Sequence, residues 1–297
     1  NPASSAYFYP EGKALEVGHV LKNPAYAETL RRIATEGPSA FYEGEIPLAI
    51  AAAAHREPNP GTLTAADIST YRTARREAIC GGYRDTKICT TTPPSSGGAQ
   101  IMIAGLYNEL SADATTQADK IAAFVDAQRL AYADRDHFFG DPDAIDIPLN
   151  DLLNPKYLKH RATQRFAPNA TPTHGDPGAF LHGDPVASLW GTDTTAEVPG
   201  TSHLSIIDGE GNAVAMTATV EGPFGSARMV GGFLLNNQMS DFAKEVSPDG
   251  KAVANAIAPG RRPRSSMSPT MLFDAAGDLL MVTGSPGGNS IPAYVSK

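Results

Sequence analysis

The sequence is poor in charge and has no long apolar run, and both absences restrict its function. Charged residues make up 19% of the chain, below the ~25% that is usual in globular proteins. The net charge of −8 disfavours broad binding to nucleic acid or to anionic membranes. The longest apolar candidate, residues 46–54, is far shorter than the ~18 residues of a membrane-spanning helix. We therefore expect no nucleic-acid partner and no membrane span.

Several common catalytic signatures are also missing. There is no Gly-Lys-Ser/Thr phosphate loop, and no Gly-x-Ser-x-Gly in the strand–turn–helix context of an α/β-hydrolase. The seven histidines are scattered without metal-site spacing, and two isolated cysteines cannot form a structural zinc site. Asp141 and Asp143 resemble part of a metal-binding loop, but the neighbouring prolines and the lack of a closing Glu favour a capped turn. We expect neither a metal nor a cofactor.

The two cysteines, Cys80 and Cys89, flank a segment that can fold into a hairpin. With a two-residue turn at residues 84–85, Tyr83 pairs with Thr86. The cysteines then face each other at a non-hydrogen-bonded position, where Cα atoms are close enough for a disulfide. Arg-Asp is not a favoured hairpin turn, so two buried free thiols are the alternative. A bridge would indicate an oxidising compartment, and hence a periplasmic or secreted protein.

The pattern of the chain changes twice along its length. Residues 1–165 are mainly helical, with a hairpin at 75–91 and helices at 24–37, 46–55, from 64, 98–110 and 117–138. Residues 165–200 contain five prolines and little periodicity, which is typical of a flexible connection. After Thr201 the pattern alternates, and it predicts one hairpin through 203–219 and another through 271–282. This arrangement indicates an α+β fold.

The strand alternation and the helical period each predict which residues share a face. In the first hairpin, the face that includes Thr219 also carries Ala213, Ala215 and Thr217. In the helix 117–138, we expect these apolar residues to face the core: Ile121, Phe124, Val125, Ala127 and Leu130.

Thr201 opens the alternating segment and follows Gly200. If the peptide bond between them is cut, Thr201 gains a free α-amine beside its own hydroxyl. That amine has a reference pKa near ~8 and can accept the hydroxyl proton at neutral pH, so one residue supplies both nucleophile and base. Gly200 suits such a cut because glycine adopts strained backbone angles at little cost. The alternative is that Thr201 simply begins a β-strand, which threonine favours.

Further segments accompany Thr201 in a fixed order. Upstream are PPSSGG at 93–98 and AYADR at 131–135, and downstream are TATVE at 217–221, LLNNQMSDF at 234–242, RPRSSMSPT at 262–270 and TGSPGG at 283–288. Together with the Thr-Ser-His at 201–203, these segments resemble the γ-glutamyltransferase (glutathione hydrolase) family of N-terminal nucleophile hydrolases. The matching segments extend across nearly the whole chain.

The resemblance implies a fold, a precursor and a reaction. The fold would be a four-layer αββα sandwich with Thr201 on a central strand. It would form one structural domain from a large-subunit portion, 1–200, and a small-subunit portion, 201–297. Autocatalytic cleavage at Gly200-Thr201 would create these subunits. Thr201 would then transfer γ-glutamyl groups from glutathione or related amides to water or to an amine acceptor.

The resemblance also assigns residues that support the nucleophile. Thr219 would orient the amine or hydroxyl of Thr201, the alternative being a cross-strand packing partner. Gly287 and Gly288 would present consecutive N–H groups to a tetrahedral oxyanion, the alternative being an ordinary glycine-rich turn. His203 is expected to be a hydrogen-bonded strand residue and not a base.

The substrate-binding residues follow from the same resemblance. Glu221, Gln238 and Asp241 match positions that hold the α-ammonium of the glutamyl group, and Ser265 and Ser266 match positions that contact its α-carboxylate. Asp241 as a turn residue and the serines as a helix cap are the alternatives. Many members of the family carry Asn at the position of Glu221, which leaves the preferred substrate open.

Other functions on the same machinery stay open at this stage. They are a β-lactam side-chain acylase, a poly-γ-glutamate depolymerase, and a catalytically silent relative that binds glutamyl peptides. Precursors of the family are longer at both ends, so we expect this chain to be an internal portion. The arginine with which the family grips the α-carboxylate has no match in it.

Overall fold

The computed structural model describes residues 2–164, 166–195, 198–244 and 250–297. Its α-helices are α1 (Pro2–Phe8), α2 (Pro24–Glu36), α3 (Ser39–Tyr42), α4 (Glu45–Ala54), α5 (Ala65–Thr70), α6 (Gly97–Leu110), α7 (Gln117–Phe138), α8 (Leu149–Leu152), α9 (Pro155–Arg161), α10 (Pro177–His182) and α11 (Ile291–Ser296). Its strands are β1 (Ile79–Tyr83), β2 (Thr86–Thr90), β3 (Thr201–Ile207), β4 (Ala213–Thr219), β5 (Met229–Val230), β6 (Phe233–Leu234), β7 (Thr270–Phe273) and β8 (Leu279–Thr283). Helices predominate before Thr201 and antiparallel strands after it, so the fold is α+β.

Local capping signals explain where several predicted helices begin. The side chain of Asn23 accepts a hydrogen bond from the Tyr26 amide, and Pro24 occupies the first position of α2. Thr64 and Asp67 form a reciprocal capping box at the start of α5. Each bond satisfies a backbone N–H that has no partner within the helix. The predicted helices in these regions are therefore confirmed.

Four strands form an antiparallel sheet in the order β1-β2-β7-β8. The β1–β2 hairpin has the predicted register, with Tyr83 opposite Thr86 and Cys80 opposite Cys89. The Cα atoms of the two cysteines are 4.1 Å apart and their sulfur atoms are bonded. The structure therefore contains the disulfide that the sequence left open.

The predicted hairpin through 203–219 pairs β3 with β4, and its register places Thr201 opposite Thr219. One face of the pair carries half-buried residues, among them Thr201, Ala215 and Thr219. The other face is apolar but exposed, and it includes Leu204 and Met216. The predicted alternation of β4 is confirmed.

A buried cluster joins α6, α7 and α9, and it corrects one expectation for α7. Ala127 and Leu130 are buried as expected, and Phe124 packs against the cluster from a partly buried position. Ile121 and Val125 are instead 55% and 46% exposed. Each lies two positions before a buried alanine, which corresponds to ~200° around the helix axis. They therefore lie on the opposite face of α7, away from α6.

The proline-rich connection at 165–200 is irregular apart from α10 and a 3₁₀ turn at Ala187–Leu189. Asp176 holds the start of α10 by accepting from the Ala179 amide, and it also accepts from the amides of Val186 and Ala187. Residues 165, 196 and 197 of the predicted connection lie outside the described residues.

The chain divides into two compact units. The first combines Asn1–Arg75 with Val220–Asn237, and the second combines Arg76–Thr219 with Gln238–Lys297. Within the first unit, Thr29 Oγ1 donates to the Gly231 carbonyl at 2.8 Å, which fixes α2 against the β5–β6 turn. Among the described helices, none has both the length and the apolar composition needed to cross a membrane.

Candidate active site

Thr201 occupies the first position of β3, directly across the strand pair from Thr219. The hydroxyl of Thr219 donates to the carbonyl oxygen of Gly200, with 3.4 Å between the two oxygens. The carbonyl that precedes Thr201 thus has a side-chain donor beside it. Both threonines are half-buried, so neither hydroxyl is sealed in the core.

His203 lies on the same face of β3, and both of its ring nitrogens have partners. Nδ1 is 2.8 Å from Thr217 Oγ1, and Nε2 is 3.0 Å from Ser205 Oγ. Burial lowers the pKa of His203 below its ordinary value because it disfavours the charged imidazolium. Gly284 lies against the ring, and a Cβ at that position would overlap it. His203 is therefore a hydrogen-bonded strand residue, as expected.

Residues 264–268, which we call the serine loop, lie beside the PPSSGG segment. Ser95 and Ser265 form a parallel bridge, and the Ser265 amide donates to the Pro94 carbonyl at 2.9 Å. Ser96 Oγ donates to the Ser265 carbonyl at 2.7 Å. Ser265 is half-buried and Ser266 fully buried. The two serines sit in an extended segment and do not cap a helix.

Two residues outside the predicted set hold the serine loop. Arg135, on α7, donates to Ser96 Oγ and to Ser266 Oγ at 2.8 and 2.6 Å. Asn255 accepts from the Arg264 amide at 2.8 Å through Oδ1 and donates to the Asp241 carbonyl at 2.7 Å through Nδ2. The AYADR segment pointed to Arg135 without indicating its partners, and no local pattern pointed to Asn255.

The predicted ammonium-binding residues fall in different units. Gln238 and Asp241 share a 3₁₀ turn in the second unit, where Gln238 Nε2 donates to the Asp241 carboxylate. Glu221 lies in the first unit and is buried with a positive φ of 73°. Its carboxylate accepts from Asn237 Nδ2, and Asn237 Oδ1 accepts from the Gly222 amide at 2.9 Å.

Gly287 and Gly288 have the positive φ angles, 143° and 54°, that consecutive glycines adopt readily. Gly288 begins a 3₁₀ turn, and the Ser290 amide donates to the Gly287 carbonyl at 3.1 Å. A Cβ at position 287 would lie 2.7 Å from the Tyr294 ring. Glycine at 287 is thus required by both the backbone angle and the close approach of the ring.

The acidic pair that resembled a metal loop binds arginines instead. Asp143 forms a double hydrogen bond with Arg76 at 2.7 and 3.0 Å, and Asp141 accepts from the Arg262 amide at 2.8 Å. Arg76 lowers the pKa of Asp143 through this hydrogen bond. Among the described residues, no group of His, Cys, Asp and Glu side chains has the geometry of a metal site.

The sequence matches a known protein family along its whole length. The profile of the family described as gamma-glutamyltranspeptidase matches residues 1–297. The chain is 37% identical to the glutathione hydrolase proenzyme of Escherichia coli (strain K12), covering 97% of this chain and 49% of that protein. It is 34% identical to the glutathione hydrolase proenzyme of Bacillus subtilis (strain 168), covering 99% and 50%.

A solved structure supports the fold. The cephalosporin acylase from Bacillus halodurans superposes with a TM-score of 0.81 at 24% identity, covering 98% of this chain and 49% of that chain. The chain thus spans about half the length of the relatives that it matches.

Proposed function

This chain belongs to the gamma-glutamyltranspeptidase family, and we propose that its full-length protein cuts itself at Gly200-Thr201 and then transfers or hydrolyses γ-glutamyl groups through Thr201. The observation that carries the proposal is the hydrogen bond from Thr219 to the Gly200 carbonyl, opposite Thr201 in the β3–β4 register. The names of the relatives, glutathione hydrolase proenzymes, support both the precursor and the substrate class.

Self-cleavage uses residues that are already adjacent. The Thr201 hydroxyl attacks the Gly200 carbonyl carbon, and negative charge develops on the oxygen to which Thr219 donates. Collapse of this intermediate breaks the Gly200–Thr201 C–N bond, passes the hydroxyl proton to the departing nitrogen and leaves an ester. Water then hydrolyses the ester, which gives a Gly200 carboxylate and a Thr201 with a free amine.

Turnover repeats the same chemistry on a substrate. The free amine accepts the proton of the Thr201 hydroxyl, and the oxygen attacks the γ-carbonyl of the glutamyl donor. The N–H groups at Gly287 and Gly288 stabilise the oxyanion, and the lack of a Cβ lets both residues hold the positive φ angles of the turn that presents these groups. The amine of the donor departs with the proton, and water or an amine acceptor resolves the acyl-enzyme.

Substrate recognition needs partners of both signs, since the α-carbon of a γ-glutamyl group carries an ammonium and a carboxylate. We assign the ammonium to Asp241 and Gln238 and the carboxylate to Ser265 and Ser266, all of them within the second unit, while the role of Glu221 stays a prediction. The half-buried Ser265 hydroxyl accepts from the Met267 amide at 3.2 Å, so its own proton is directed to another acceptor.

We also propose the four-layer αββα architecture, with residues 1–200 and 201–297 as portions of the two subunits within one domain. The exposed apolar face of β3 and β4 supports a further layer: Leu204, Ile206, Val214 and Met216 are 41–54% exposed there. A sheet face of this composition is normally covered by another layer.

The Cys80–Cys89 bridge supports a periplasmic or secreted location, because disulfides persist in oxidising compartments. Thiol labelling of the denatured, unreduced protein from its natural host checks this. We expect Cys80 and Cys89 to be unlabelled before reduction and both labelled after it. Labelling of either one before reduction would contradict the assignment.

Thr201→Ala in the full-length protein tests the function. We expect an uncut chain and a loss of at least ~10⁴-fold in p-nitroaniline release from γ-glutamyl-p-nitroanilide, because the variant lacks the nucleophile. Ser202→Ala is the matched control: its side chain is exposed at the next position, and it should leave both activities intact. Turnover by Thr201→Ala would refute the mechanism. An uncut, inactive wild type would favour the silent relative, and release of a β-lactam side chain in place of p-nitroaniline would favour the acylase.

A further inference from the structure

We propose that Arg135 is the positioning residue that holds the serine loop in the conformation that accepts the substrate α-carboxylate. The inference rests on the proposed function, and it gives a role to the AYADR segment that the mechanism leaves unused. Arg135 is 1% exposed, so it acts on the substrate through other side chains.

The described donors of Arg135 reach Ser266 directly and Ser265 through Ser96. Nη2 donates to Ser266 Oγ at 2.6 Å. Nε donates to Ser96 Oγ at 2.8 Å, and Ser96 Oγ passes its own proton to the Ser265 carbonyl at 2.7 Å. One guanidinium therefore fixes the Ser266 side chain directly and the Ser265 backbone through one hydroxyl.

The direction of these hydrogen bonds determines what the serines can offer. A guanidinium only donates, so Ser266 must accept from Arg135 with a lone pair and keep its proton for another acceptor. Among the described contacts, one such acceptor is Asn289 Oδ1 at 3.4 Å. A carboxylate is a stronger acceptor than an amide oxygen, and a hydroxyl that accepts from a cation is polarised toward donation. The Ser266 hydroxyl in the serine loop is thus oriented to donate its proton to an anion.

Arginine is needed here because its donors point in different directions. Nη1 donates to Asp136 Oδ1 at 2.8 Å, which anchors the guanidinium on its third side. The single nitrogen of a lysine would preserve the charge but not this fork of contacts to Ser96, Ser266 and Asp136. Lysine should therefore recover only part of the function.

The test compares two substrates on the full-length protein. One is γ-glutamyl-p-nitroanilide, and the other is 4-aminobutanoyl-p-nitroanilide, which has the ammonium and the scissile amide but lacks the α-carboxylate. The quantity measured is the ratio of kcat/KM for the first to kcat/KM for the second. We expect Arg135→Gln to lower this ratio about 10- to 100-fold, through a higher KM for the glutamyl substrate with kcat largely kept.

Further variants keep the test decisive if Arg135→Gln folds poorly. Ser96→Ala removes only the indirect link and should lower the ratio about 3- to 10-fold, and Arg135→Lys should give an intermediate loss. Adding Ser96→Ala to Arg135→Gln should cause no further loss, because both act on the same contact. Arg161→Gln is the matched control: Arg161 is also fully buried, but it pairs with Asp134 at 2.9 Å. Its ratio should stay within about 3-fold of wild type.

Three results would overturn the inference. They are equal losses on both substrates for the Arg135 variants, a ratio unchanged in Ser96→Ala and Arg135→Lys, or the same ratio loss in Arg161→Gln. Each would leave the proposed function intact, since the wild type would still release p-nitroaniline. A wild type that is cut but releases none from either substrate would instead refute the proposed function, and this inference with it.

Discussion

The region around the proposed cut and the serine loop differ in how firmly their described contacts hold them. At the scission corner, which comprises Gly200, Thr201 and Thr219, the residues are half-buried or less, and the hydrogen bond to the Gly200 carbonyl is 3.4 Å long. In the serine loop, Arg264, Ser266 and Ser268 are at most 1% exposed. Hydrogen bonds of 2.6 to 2.8 Å connect that loop to Arg135, Ser96 and Asn255.

The difference corresponds to two chemical tasks. Acyl transfer changes the geometry of the Gly200 carbonyl carbon from planar to tetrahedral, so the atoms around it must shift during the reaction. Recognition of a carboxylate needs donors that stay in place before the substrate arrives. We therefore expect substitutions at the scission corner to change rates, and substitutions behind the serine loop to change stability and substrate preference.

Among the substitutions that compare the scission corner with the serine loop, we expect Thr219→Val to have the largest effect. It removes the donor to the Gly200 carbonyl and should slow self-cleavage about 10²- to 10³-fold, while thermal stability changes little. The cleavage time course of freshly folded precursor on denaturing gels measures it. Thr217→Val is the control, since it lies on the same face of β4 but contacts His203. If both variants cut at the wild-type rate, the corner is not organised for cleavage.

Asp193→Asn, behind the serine loop, should instead lower the stability of the protein. Asp193 pairs with Arg264 at 3.2 Å and accepts from Asn255 at 2.8 Å, and all three side chains are buried. Neutralising one partner of a buried pair costs ~3 kcal/mol of the free energy of unfolding, measured by urea titration. Asp143→Asn, which breaks an exposed ion pair with Arg76, should cost only a small part of that. Equal losses would mean that burial does not distinguish the two pairs.

His203→Gln should have the smallest effect, although His203 lies next to the scission corner. Burial lowers its pKa and so favours the uncharged imidazole, and both ring nitrogens have partners. In our account the Thr201 amine is the base, so kcat/KM rises as pH rises through ~8 and that amine loses its proton. The variant should lose less than ~10-fold in kcat/KM, and its kcat/KM should still rise with pH through ~8 as in the wild type. If the pH of this rise shifted, or if the rise disappeared, His203 would be the base.

The sequence predicted those features that depend on neighbouring residues. Alternation was sufficient to predict the β3–β4 hairpin, in which Thr201 lies opposite Thr219. Spacing around a two-residue turn was sufficient to place Cys80 opposite Cys89. Such patterns work because strand pairing across a short turn admits few registers.

Features that depend on distant residues could not be predicted in this way. Arg135 and Ser266 are 131 positions apart, and no local period relates them. Ile121 and Val125 fit a helical period, yet which face of α7 is buried depends on where α6 packs. The hydrogen bond between Asn237 and Glu221 likewise joins residues 16 positions apart, which a short motif does not contain.

The central claim is that Thr201 acts with its own free amine, and one sample can test it. N-terminal sequencing and intact mass of the mature, full-length protein should reveal two polypeptides, the smaller of which begins at Thr201. The same sample should release p-nitroaniline from γ-glutamyl-p-nitroanilide. A sample that is uncut between Gly200 and Thr201 and still turns over this substrate would contradict the account.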